Sequence, residues 1–121
     1  MTIKQFQRKD AVRVMNWCKR NAGLNYRRHT LPVLEWSSKA EDDSSGDYDF
    51  EDNIISVYKN KHNSVVEIIS TIIHEWAHYK QSTKKYYEYD KIFNYHDNPY
   101  EIQANELADS MKWKCKKDLF R

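Results

Sequence analysis

The sequence predicts an α+β fold: an N-terminal helix, a small mostly antiparallel sheet, and two further helices that carry the chemistry. Three observations lead there. Ala11, Val14, Met15, Cys18 and Ala22 recur at helical spacing near the N-terminus. The run Ile54-Ile55-Ser56-Val57-Tyr58 is rich in residues that favour extended structure. Val65, Ile68, Ile69, Ile72 and Ile73 then return to helical spacing, within a stretch from Asn63 to Asn98 that holds neither Pro nor Gly. With 121 residues the chain is expected to be one domain, 1–121, with a modest core.

Taken in order, residues 3–22 read as an amphipathic helix, with Thr2 and Gln5 at capping-box spacing and Gly23 as its stop. Lys4, Arg8, Lys9, Arg13, Lys19 and Arg20 cover the polar side, which reads as a solvated face in preference to a nucleic-acid surface. Residues 31–36 suggest a short strand, and Pro32 confines it to an edge or a strand start. The acidic stretch from Glu41 to Asp47 reads as an exposed turn. Its carboxylates raise the question of a second ion along residues 41–52, although the spacing is not that of an EF-hand. Tyr48 to Phe50 adds a little strand, and Ile54 to Tyr58 is the stronger one.

Ser64 and Glu67, again at capping-box spacing, open a helix expected to run to about Lys84. Residues 86–97 are expected to be an aromatic loop packed over the site. Asn98 suits a helix cap and Pro99 the first helical position, so a last helix is expected over 99–118. Ala104, Leu107, Ala108, Met111 and Cys115 form its apolar stripe. The lysines at 112, 114, 116 and 117 complement the dipole at its end.

The motif that organises the chain is His74-Glu75-Trp76-Ala77-His78. On a helix it places two imidazoles one turn apart on one face, where both reach one metal ion. Glu75 lies beside that face and can take a proton from water at the metal. A random chain of this composition holds the pattern about 0.013 times, so accident is a poor explanation. Polar groups in so apolar a helix are costly without partners, which also argues for a ligand. A third ligand is needed, because catalytic zinc keeps three protein ligands and one open position. Glu101, in the first turn of the last helix, is the favoured candidate and His96 the alternative. Glu101 also stands where a capping-box glutamate belongs. Asn105, one turn beyond Glu101, can orient a ligating histidine. Tyr95, His96 and Tyr100 are candidates for stabilising a developing oxyanion.

His74-Glu-x-x-His78 followed by Glu101-x-x-x-Asn105 resembles the gluzincin zinc metallopeptidases, and the small size is similar to the compact ImmA/IrrE-like members. The resemblance covers roughly residues 53–110. It implies a zincin-like fold, one Zn²⁺ per chain held by His74, His78 and Glu101, and Glu75 as general base in peptide hydrolysis. A metzincin would need a third histidine at position 84, which is Lys84. The expected substrate is a polypeptide in extended form, paired along Ile54, Ile55, Ser56, Val57 and Tyr58. Two other classes stay open: a metal-binding regulator with little proteolysis, and a nucleic-acid-associated protein using the basic first helix.

A net charge of +2 argues for no particular partner, and a monomer is expected. The two cysteines, Cys18 and Cys115, fall on apolar stripes and read as buried free thiols. The N-terminus lacks the apolar core of a signal peptide and no run has membrane-spanning length, so a cytoplasmic protein without membrane contact is the default expectation.

Overall fold

In the computed structural model, which describes residues 1–40 and 43–121, the first helix begins later than the sequence suggests. Thr2 and Gln5 close a tight turn, with the Thr2 N–H donating to Gln5 Oε1 at 2.8 Å. Helix α1 (Arg8–Asn21) starts where Asp10 accepts the N–H of Gln7 at 2.8 Å. It ends where Gly23, at φ +92°, turns the chain away. Ala11, Val14, Met15, Trp17 and Cys18 point into the core.

Three strands follow: β1 (Val33–Ser37), β2 (Gly46–Asp49) and β3 (Ile54–Tyr58). Their order in the sheet is β1-β3-β2. β3 pairs parallel with β1 (Leu34 opposite Ile55) and antiparallel with β2 (Tyr48 opposite Ile55), so the sheet is mixed, not mostly antiparallel. Asn53 makes the sharp return into β3 at φ +56°, and its side chain is held by the Tyr48 hydroxyl at 2.5 Å and the Thr30 carbonyl at 3.1 Å.

A short 3-10 turn (Lys59–Lys61) leads to α2 (Val65–Lys80), which Ser64 caps by accepting the Glu67 N–H. Ile68, Ile69, Ile72, Ile73 and Trp76 are fully or almost fully buried, and α2 is the spine on which the sheet and the other long helices pack. α2 stops four residues short of Lys84. Gln81 leaves the helix at ψ 162°, and Ser82 caps a new helix, α3 (Thr83–Ile92). The expected aromatic loop is therefore mostly helix, followed by a 3-10 turn at Tyr95–Asp97. Helix α4 (Pro99–Phe120) is capped by Asn98, which accepts the Tyr100 N–H at 2.9 Å. Ala104, Ala108 and Cys115 of its apolar stripe are buried, with Leu107 and Met111 half-buried beside them. Cys18 and Cys115 are both buried free thiols. Among the described residues no helix is long and apolar enough to cross a membrane.

Candidate metal centre

One helical turn of α2 and the first turn of α4 face each other. Their side chains bring three ligand atoms together: His74 Nε2 and His78 Nε2 lie 3.2 Å apart, and each is 3.0 Å from Glu101 Oε1. Among the described residues this is the one cluster of His, Cys, Asp or Glu that could hold a metal ion. Glu101 is 2% exposed, which a carboxylate tolerates only with partners. Burial by itself would raise its pKa. Hydrogen bonds from His74, His78 and Tyr86 outweigh burial and hold the carboxyl well below the usual carboxylate range.

Two groups that position the triad were not singled out in the sequence. Tyr86, on α3, donates its hydroxyl to Glu101 Oε2 at 2.5 Å, which leaves Oε1 to the histidines. Burial and the Glu101 carboxylate both push the Tyr86 hydroxyl pKa upward, so it stays a donor. Gln81 accepts from His78 Nδ1 at 2.6 Å. The other end of its amide donates to the Tyr100 carbonyl at 3.0 Å and to Gln103 Oε1 at 2.8 Å. A tyrosine and a glutamine with nothing distinctive in their spacing leave no signal in the sequence.

Glu75 lies next to the triad, 5% exposed, its nearer oxygen 4.0 Å from His78 Nε2. Burial pushes its carboxyl up to about 8; His74 pulls the value down, while Asp47 and Glu101 add to the rise. A cation bound by the triad acts in the opposite direction and favours the carboxylate. A cleft of about 350 Å³ opens onto His74 and Glu75, lined also by Gly46, Tyr95 and Asn105. No Cβ fits at Gly46: it would meet Thr71 Cγ2 at 2.5 Å and the Ser56 carbonyl at 3.0 Å. Glycine thus lets β2 lie directly against α2 beside Glu75.

Of the oxyanion candidates, Tyr95 alone borders the cleft, with burial and the neighbouring Glu101 carboxylate raising its hydroxyl pKa. His96 is exposed and stacks edge-on against Tyr95, outside the triad, so the alternative third ligand is not brought to the two histidines. Tyr100 faces the other way, its ring against Tyr89 and its carbonyl against Gln81. Asn105 sits exposed on the rim and makes no hydrogen bond to either histidine; Gln81 already occupies the back of His78. The expected substrate edge, Ile54 to Tyr58, is the middle strand, hydrogen-bonded on both sides and closed to a further strand. β2 is an edge strand, and its first residue, Gly46, borders the cleft. As for a second ion, Glu41 and Asp42 fall outside the described residues. Asp43 is fully solvated and 3.9 Å from Lys61.

No protein-family model matches the chain, and neither a curated protein nor a solved structure matches it significantly.

Proposed function

We propose that this chain is a zinc-dependent peptidase. The observation that carries the reading is the triangle of His74 Nε2, His78 Nε2 and Glu101 Oε1, with sides of 3.0–3.2 Å. Zinc bonds of about 2.0–2.1 Å to nitrogen set neighbouring donors of a tetrahedron about 3.3 Å apart. The three donors therefore suit such an ion with little movement. Two imidazoles and one carboxylate are also the donor mixture zinc takes in peptidases, with a fourth position left open. When bound, the ion supplies Lewis acidity, polarising a carbonyl and making water more acidic.

The remaining work falls to residues of the chain. Glu75 lines the cleft beside His74 and would take a proton from water and pass it to the leaving amine. Tyr95, which also lines the cleft, would donate to the developing oxyanion. The outer edge of β2 offers main-chain groups to an extended polypeptide, which would then cross the cleft.

Metal content and cleavage of unstructured peptides, measured together, test the reading. Wild type should carry about one zinc per chain, and Glu101→Ala much less. Glu75→Gln should keep its zinc and lose hydrolysis. Zinc retained in full by Glu101→Ala would dismiss this ligand set. Zinc-loaded wild type without cleavage would make the protein a metal-binding regulator instead.

A further inference from the structure

Away from the cleft, the end of α4 lies against α1. Trp17 Nε1 donates to Asp118 Oδ2 at 2.8 Å, Arg13 Nη2 donates to the Leu119 carbonyl at 2.9 Å, and Lys114 sits over the Trp17 ring. The packing joins two basic segments. Residues 8–21 and 112–121 hold ten cations and two carboxylates, a net +8 that leaves −6 for the rest of a chain of net +2. Both carboxylates are engaged: Asp10 is buried at the start of α1, and Asp118 is held by Trp17 and Lys114. Among the described residues, Lys19, Arg20, Lys116 and Lys117 pair with no carboxylate.

Beside the last two of these stands Trp113, 61% exposed, over a shallow groove shared with Lys116, Lys117 and Arg121. The helix dipole accounts for cations in the last turns of α4 but not for a solvated indole, whose burial would be favourable elsewhere. We propose that the joined outer faces of α1 and the C-terminal half of α4 bind single-stranded nucleic acid, with a base stacked on Trp113 and phosphates on the surrounding lysines and arginines.

The chemistry of the surface selects that occupant. An aromatic platform within a cationic track is how proteins hold a single strand with little sequence preference. Trp113, Lys117 and Arg121 stand at successive four-residue steps, a row rising about 6 Å per step, suited to a polymer with regularly spaced charges. A lipid surface would need an apolar helix face, and that of α4 (Ala104, Ala108, Cys115, Phe120) is buried in the core. The opposite charge of the remaining molecule steers a polyanion to this face and away from Glu75. The inference does not depend on the metal centre.

Fluorescence anisotropy with labelled oligothymidylate and mixed-sequence RNA, about 20 nucleotides long, tests it on the intact chain. Affinity should fall steeply between about 50 and 200 mM salt, with a log–log slope near −0.7 for each phosphate neutralised. Lys116→Glu with Lys117→Glu should weaken binding at least about tenfold and flatten that slope. Trp113→Ala should weaken it about tenfold, with Trp113→Phe recovering most of the loss. Circular dichroism and zinc content should stay unchanged in all three, since none of these side chains is in the core or the metal centre. No binding at low salt, or equal binding by wild type and variants, would overturn the proposal. So would preference for phosphatidylserine vesicles over both oligonucleotides.

Discussion

The amide of Gln81 fixes the tautomer of His78. Its nitrogen faces the Tyr100 carbonyl, which can only accept, so its oxygen must face His78 Nδ1, 2.6 Å away. Nδ1 therefore carries a proton in either charge state, and Nε2, which bonds Glu101, is the nitrogen left for a metal ion to take. Gln81→Leu should lower zinc affinity about 10- to 100-fold, read by competition with a chromophoric chelator. Gln81→Glu keeps an acceptor at Nδ1 and should lose less. A drop in Gln81→Leu below about threefold would show that His78 is held without this amide.

Two tyrosines near Glu101 should separate by their effects. Tyr86 acts on Glu101, through its hydroxyl on Oε2. Tyr86→Phe should weaken zinc binding about tenfold, as loss of a group that orients a ligand does. Tyr95 also lies beside Glu101, but it borders the cleft. Tyr95→Phe should leave zinc content unchanged and reduce kcat about 100-fold with little change in KM, the pattern of a lost transition-state donor. Reversed patterns in steady-state kinetics and metal analysis would exchange the two roles.

Gly46 tests the approach of β2 to α2. An alanine Cβ would press on Thr71 Cγ2, a branched side chain with little freedom in a helix, and on the Ser56 carbonyl. Gly46→Ala should cost about 1–3 kcal/mol in urea unfolding. Thr71→Ser removes that methyl and keeps the hydroxyl, so the double variant should recover part of the loss. Additive effects of the two changes would mean that the clash with Thr71 is not what excludes a side chain at Gly46.

His62 predicts a pH dependence. It is 8% exposed; its Nδ1 donates to the Tyr58 carbonyl at 2.9 Å and its Nε2 accepts from the Thr71 hydroxyl at 2.8 Å, so the fold holds it neutral. Burial lowers its folded pKa below 6.5, with hydrogen bonds to the backbone opposing. The unfolded chain then binds the proton more readily. Stability from neutral His62 is complete above the unfolded value and is lost as pH falls below it toward the folded one. Between about pH 7.5 and 5.5 the urea midpoint should fall more in wild type than in His62→Gln. Equal falls would remove His62 as the cause.

What could be read in advance was the periodic and the local. α2 and α4 were legible because Ile68, Ile72 and Ala104, Ala108 repeat at helical spacing, and Ser64 and Asn98 are caps that act within their own turn. The break at Gln81 was not legible. No Gly or Pro marks it, and Gln81 leaves the helix where its side chain is used on His78 and Tyr100, groups that meet it only in the folded chain. The sheet failed for a related reason: Ile54 to Tyr58 has strong extended propensity, but propensity does not say whether a strand lies at the edge or in the middle.

The sequence by itself determined the α+β class, the helix carrying His74, Glu75 and His78, and the place of Glu101 in the first turn of the last helix. These follow from spacing within one element, which chain geometry imposes wherever the helix ends up. The tertiary structure decided everything that needs two elements at once: that Glu101 rather than His96 meets the histidines, that Gln81 and Tyr86 hold the triad, and that β2 borders the cleft. The physical reason is that a buried imidazole or carboxylate takes whichever partner packing brings within hydrogen-bond reach, and neighbours in space are not ordered by neighbours in sequence.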